Sequence, residues 1–262
     1  MAAPVQIYGA NGELLTSISK TADSAQGSGS LVRQASRGEL IAMNLWNGMQ
    51  ALAMEGSYWL AATATPGTGI TLTVATGTSF SDTQALIVLN NTDAVGTQSK
   101  NLYLDFITII CTATPTGTTA HFVAHRIDSA IRGTAGTQLG ATGINARPSN
   151  MNMAGNSIGQ AYALGASAVS VAASSAVRNV GRNVLRAAST PSWVVGDHVT
   201  IKFGSQEMAS GGVNLGATTA SGITVFAPPI VIGPQQSYVL NEWATARSGA
   251  LSGEIVMGWV ER

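Results

Sequence analysis

Asn101-Leu102-Tyr103-Leu104-Asp105-Phe106-Ile107-Thr108-Ile109-Ile110-Cys111 is the stretch on which the fold turns. It contains neither glycine nor proline, and aromatic and β-branched side chains dominate its second half. Such residues suit a pleated, half-buried surface. Leu102, Leu104 and Phe106 share one face at a period of two, with Tyr103, Asp105 and Ile107 on the other. The reading is a long strand. The turn signal Thr114-Pro115-Thr116-Gly117 follows, and Thr119–Arg126 reads as a second strand, so the two predict a hairpin or meander.

The same pattern spreads outward in both directions. Ile70–Val74 alternates cleanly, and Gln84–Leu89 is apolar and β-branched. Beyond the centre come His198–Phe203, Ile223–Phe226, Ile230–Ile232, Tyr238–Trp243 and Glu254–Val260. Gly, Pro, Asn and Asp punctuate the gaps, each a turn former for its own reason. Roughly ten strands at near-regular spacing predict an all-β chain, an antiparallel jelly-roll-like β-sandwich.

Three stretches depart from that pattern. Ile41, Leu45, Met49 and Leu52 recur at helical spacing, so residues 38–56 predict one short helix, with Gly56 as its cap. Residues 133–160 read as a long excursion loop, and loops of that length tend to be functional. Residues 161–188 read both ways: Ala168, Val169 and Val171 suit a strand, whereas Val177, Val180, Val184 and Leu185 suit a helix.

The N-terminus has another texture. Gln6-Ile7-Tyr8 and Glu13-Leu14-Leu15 flank Asn11-Gly12, a hairpin turn signal, and Thr21–Ser30 has a flexible linker composition. Residues 1–37 therefore read as an extended arm and linker, and residues 38–262 as the sandwich domain. An arm that cannot bury its own apolar face needs a neighbouring subunit to order it. Tyr8 and Leu14 are its candidate contact residues.

Composition narrows the function classes. Charged residues are 10% of the chain against a usual quarter, and 13 basic residues balance 13 acidic ones. A neutral, sparsely charged surface suits a subunit packed against copies of itself or other proteins, and lacks the positive footprint of a nucleic-acid binder. Hydrophobic residues are 45%, which supports a packed core. No apolar run reaches the length of a membrane helix, and no signal-peptide pattern opens the chain. The single cysteine, Cys111, lies in an apolar run and reads as a small buried hydrophobe.

No catalytic set emerges. His121 and His125 are four apart, as in a helical metal pair, but their segment reads as a strand. There the rings share a face about 13 Å apart, so no shared metal is expected and both read as surface histidines. There is no nucleophile elbow and no phosphate loop. Asp105, mid-strand, reads as a hydrogen-bonded or interface carboxylate. Neither cofactor nor catalytic residue is expected. Arg178, Arg182 and Arg186, spaced by four, share a face on a helix or a regular strand. They read either as a solvated face or as a contact with an acidic patch on a partner or with nucleic acid. The tryptophans and Tyr58 sit beside apolar residues, so packing is favoured over sugar stacking. Met43, Met49 and Met54, with Trp46, suit a helix buried against a neighbour.

The order of segments resembles the jelly-roll virion structural proteins of tailed double-stranded-DNA bacteriophages. The resemblance rests on Gly38-Glu39-Leu40, Ala51–Gly56, Tyr58-Trp59-Leu60-Ala61, Lys100–Asp105, Pro229-Ile230-Val231-Ile232-Gly233-Pro234 and Glu254–Arg262, and spans most of residues 38–262. It implies a non-enzymatic subunit made in the bacterial host cytoplasm and carried on the virion. Such a subunit decorates or cements the capsid, builds it, or forms a fibre base. It implies partners among the major capsid or neck and tail proteins, and self-association as a homotrimer. Direct nucleic-acid or membrane contact is not implied. The alternative is a carbohydrate- or receptor-binding jelly roll on a phage tail or fibre.

Overall fold

The chain pairs its strands in a nested order. In the computed structural model, residues 30–34, 40–44, 48–72, 75–76, 85–113, 119–132, 136–140, 147–150, 155–163, 178–188, 194–204, 222–244 and 251–262 are described. A hairpin of β1 (Ser30–Gln34) and β2 (Leu40–Asn44) comes first, then the helix α1 (Gly48–Met54). Next are β3 (Tyr58–Ala62), β4 (Ile70–Leu72), β5 (Ala75–Thr76), β6 (Ala85–Asn91), β7 (Leu102–Ala113) and β8 (Thr119–Asp128). The short β9 (Thr137–Gln138) and β10 (Arg147–Pro148) precede β11 (Gly159–Ala163) and β12 (Arg178–Ala188). The chain ends on β13 (His198–Phe203), β14 (Gly222–Ala227), β15 (Val231–Ile232), β16 (Ser237–Ala244) and β17 (Leu251–Glu261).

One sheet runs β10-β3-β17-β7-β13-β14, and the other β12-β8-β16-β6-β11-β9. The strands β3, β6, β7, β8, β12, β13, β16 and β17 pair antiparallel as first with last, second with seventh, third with sixth and fourth with fifth. That nesting is the jelly-roll wrap of two sheets. The all-β sandwich expected from the sequence is the fold observed.

Several expectations of detail are corrected. β7 and β8 do not form a hairpin: β7 pairs with β17 and β13, β8 with β12 and β16, so the chain crosses between sheets after Ala113. The helix expected over 38–56 begins only at Gly48, because Leu40–Asn44 pairs residue by residue with Ser30–Gln34. Its apolar run Leu40-Ile41-Ala42-Met43 suits either period, and a strand partner decided it. That hairpin, a two-stranded sheet of its own, joins residues 30–34 of the expected arm to residues 40–44. The loop expected over 133–160 contains β9, β10 and the start of β11, and the ambiguous 161–188 contains the end of β11 and all of β12.

β7 shows how the core is filled. Gly258 of β17 opposes Phe106 and Trp259 opposes Leu104, so Asp105 is an extra residue, a β-bulge. The bulge shifts the phase of alternation. Leu102 and Leu104 face the core, and after the bulge so do Ile107, Ile109 and Cys111, while Phe106 turns outward. The regular alternation expected across Asp105 is therefore corrected. Across the sandwich stand Leu86, Ile87 and Leu89 of β6, Val123 of β8, and Tyr238 and Leu240 of β16. Each such fully buried aliphatic side chain contributes about 1.5–3 kcal/mol over exposure.

Polar side chains tie the two sheets together. Asn91 donates to the carbonyls of Lys100 (2.8 Å) and Ile232 (3.0 Å). Asn183 of β12 donates to the Phe226 carbonyl of β14 (2.9 Å), closing one lateral edge. The buried Glu261 carboxylate accepts from Trp259 Nε1 (3.1 Å), Gly159 N (3.3 Å) and the Ser157 hydroxyl. Gly159 is required there, since a Cβ would stand 2.7 Å from the Trp259 ring nitrogen.

Candidate interaction surface

Two of the polar residues that invited a chemical reading, His121 and His125, are buried. His121 and His125 do share one face of β8, as a strand requires, but that face is the core rather than the surface. Both are corrected from surface to interior. His121 Nδ1 lies 2.5 Å from Glu242 Oε1 of β16. His125 Nδ1 lies 2.7 Å from the Tyr238 hydroxyl, and its Nε2 lies 2.6 Å from Asn183 Oδ1. Asn183 spends its amide N–H on the Phe226 carbonyl, so its Oδ1 accepts and His125 Nε2 carries the proton. Nδ1 then accepts from Tyr238, whose hydroxyl burial holds in its protonated form. Burial lowers the His125 pKa to about 4, against the opposing hydrogen bond to Asn183. The imidazole is a neutral, fully partnered core group.

Asp105 is a hydrogen-bonded carboxylate, accepting from the Tyr58 hydroxyl at 2.7 Å. The interaction raises the tyrosine pKa, after desolvation. Cys111 is buried and bonded to the Ala113 carbonyl. Among the described residues no group of three or more His, Cys, Asp or Glu is placed to hold a metal ion. No helix among them is long and apolar enough to cross a membrane.

The expected contact residues are scattered. Tyr8, Leu14 and Trp46 lie outside the described residues. Met49 is exposed on α1 beside an exposed Met54, while Ala51 of the same helix is buried. Arg178 and Arg182 are exposed on β12, and Arg186 lies near its end. β12 is a strand broken by two register shifts, so the three arginines do not keep one face. Arg178 and Arg186 oppose Ile127 and His121, whereas Arg182 opposes Ala124, on the other side of β8. Trp59 and Trp259 are core residues, and Trp243 is stacked on Phe122 at 5.4 Å.

A surface missed in the sequence stands out on the outer side of the first sheet. Tyr58, Val260, Tyr103 and Val231 are register partners across β3, β17, β7 and β15. Tyr103 is 41% exposed and Val231 44%. The next row is Leu60, Gly258, Phe106, Lys202 and Phe226, and the next Ala62, Val256, Thr108, Thr200 and Thr224. The last is Glu254, Ile110 and His198. An antiparallel sandwich ordinarily turns polar side chains to solvent on its outer face. Here Leu60, Phe106, Ile110, Val256 and Phe226 occupy those positions and are half-buried. Gly258 brings the rows into contact: a Cβ there would stand 2.6 Å from both the Phe106 ring and the Tyr58 hydroxyl. The sequence signal was the phase jump from Leu104 to Ile107, which places Phe106 outside.

No protein family, no curated protein and no solved structure matches this chain.

Proposed function

We propose that this chain is a non-enzymatic structural subunit of a bacteriophage particle, a capsid decoration, cement or shell protein held by contacts with its neighbours. The observation that carries this reading is the half-exposed apolar outer face of a jelly-roll sandwich. Large apolar patches on a soluble surface mark interaction sites. Jelly rolls recur among viral shell and lectin domains, although fold alone is an analogy. A chain with one charged residue in ten adds to the case, since a subunit surrounded by other subunits has little need of surface charge. The expected partners are other virion proteins and other copies of this chain, with a homotrimer as the expected self-assembly.

The arm supplies the test. Deleting residues 1–29, ahead of β1, leaves a sandwich with unchanged circular dichroism that no longer enters particles when supplied in trans. Normal incorporation of the truncated chain would remove the arm from the account. The receptor-binding alternative needs two tryptophans exposed on one face. Among the described residues Trp59 and Trp259 are buried and Trp243 is half-buried against Phe122, so no observation favours it.

A further inference from the structure

We infer that the outer face of the β3-β17-β7-β13 sheet packs against the same face of a second copy, about a two-fold axis running along β7. Area is the first argument. The strands β3, β17, β7, β13 and β14, of 5, 11, 12, 6 and 6 residues, present a flat footprint of roughly 600 Å² at about 3.3 Å per residue and about 4.8 Å between strands. A standard stable interface covers about 800 Å² per partner. The patch sets aromatic and aliphatic side chains of β3, β17 and β7 beside Thr108, Thr200 and Thr224, with Lys202 between Phe106 and Phe226 and with Glu254 and His198 in its last row.

Charge placement selects a second copy as the occupant and fixes the axis. Glu254 and His198 flank Ile110 in one row, the acid on β17 and the imidazole on β13. Gly258 and Lys202 flank Phe106 in another row, with Asp105 beside Phe106 at the bulge. The acidic groups thus lie on or to one side of β7 and the basic groups on the other. Rotation about β7 lays Glu254 of one copy over His198 of its mate, and Lys202 over the space above Gly258, within reach of Asp105. Glu254 also accepts from the Gly67 amide within its own chain, which holds the carboxylate in place. Tyr103, Thr108 and Ile110 lie on the axis and meet themselves. A two-fold contact is isologous, so each of these pairs occurs twice or sits at the centre.

The contact is tested on the full-length chain by crosslinking and sedimentation. Thr108→Cys, on the axis, is treated with a bismaleimide of about 10 Å span, the face-to-face spacing of packed sheets. The expected product is a covalent dimer in high yield, whereas Val95→Cys, on an exposed loop, gives none. Val256→Lys, pointing outward, keeps the thermal unfolding midpoint and weakens self-association at least tenfold by sedimentation velocity. Glu254→Arg weakens it likewise, and adding His198→Glu in the same chain restores it. A monomeric wild-type chain at tens of micromolar, equal crosslinking of Thr108→Cys and Val95→Cys, or no recovery in the charge-swapped double variant would each overturn the inference. The two-fold contact joins a pair of copies and is separate from the three-fold contacts of a trimer; it does not rest on the particle reading, which is tested on particles rather than on the purified chain.

Discussion

At the scale of single residues, buried ionisable groups of this chain are tied into the fold by hydrogen bonds. His125 shows the principle. A ring held neutral between Tyr238 and Asn183 has both nitrogens satisfied, and protonating it in place would break the bond from Tyr238. Its pKa falls from 6.5 to about 4 on folding. The unfolded chain therefore takes up a proton below pH 6.5 that the folded chain refuses until about pH 4. The stabilisation is complete above pH 6.5 and is lost as the pH falls towards 4. Its size is on the order of 3 kcal/mol at most. Urea unfolding at pH 7 and pH 4.5 checks this: His125→Gln, which cannot titrate, loses less stability between the two than the wild type. Equal losses would show that the ring is not kept neutral. The sequence revealed that His121 and His125 share a face of a strand. It did not reveal which face, because the polar partners Glu242, Tyr238 and Asn183 come from strands more than fifty residues away.

At the scale of elements, irregularity does as much as pattern. The bulge at Asp105 rotates the rest of β7, so that Ile107, Ile109 and Cys111 continue the core begun by Leu102 and Leu104. A one-residue slip exchanges the two faces of a strand. Deleting Asp105 removes the extra residue and leaves Leu102, Leu104, Ile107, Ile109 and Cys111 on the core face in strict alternation, at the loss of the Tyr58–Asp105 hydrogen bond. The expected outcome is a soluble chain that keeps a cooperative thermal transition; an insoluble or non-cooperative deletion would contradict this account of the bulge. β7, β13, β14, β16 and β17 were legible because their alternation or β-branched content is dense. β12 was not, because its two register shifts break the period of two, and the surviving spacing of Val180 and Val184 imitates a helical turn. β2 was mistaken for helix for the related reason that four consecutive apolar residues carry no period of their own.

At the scale of the molecule, the sequence disclosed the class of fold and the wrap disclosed its logic. Strand count and turn spacing foretold a sandwich, yet the nested order of pairing depends on contacts as distant as β3 with β17, which no local pattern encodes. The outer face of the first sheet was hidden for the same reason: Tyr58, Val260, Tyr103 and Val231 form a row only once four separate strands are in register. That row gives a jelly roll with few charges a surface suited to assembly.

The most direct test of the particle reading is immunogold electron microscopy of purified phage particles, using an antibody raised against this chain, with copy number counted by quantitative mass spectrometry of the same preparation. The account predicts gold on the particles, at regular positions, and many copies of the chain in each. Signal confined to the soluble fraction, with the chain absent from washed particles, would contradict it.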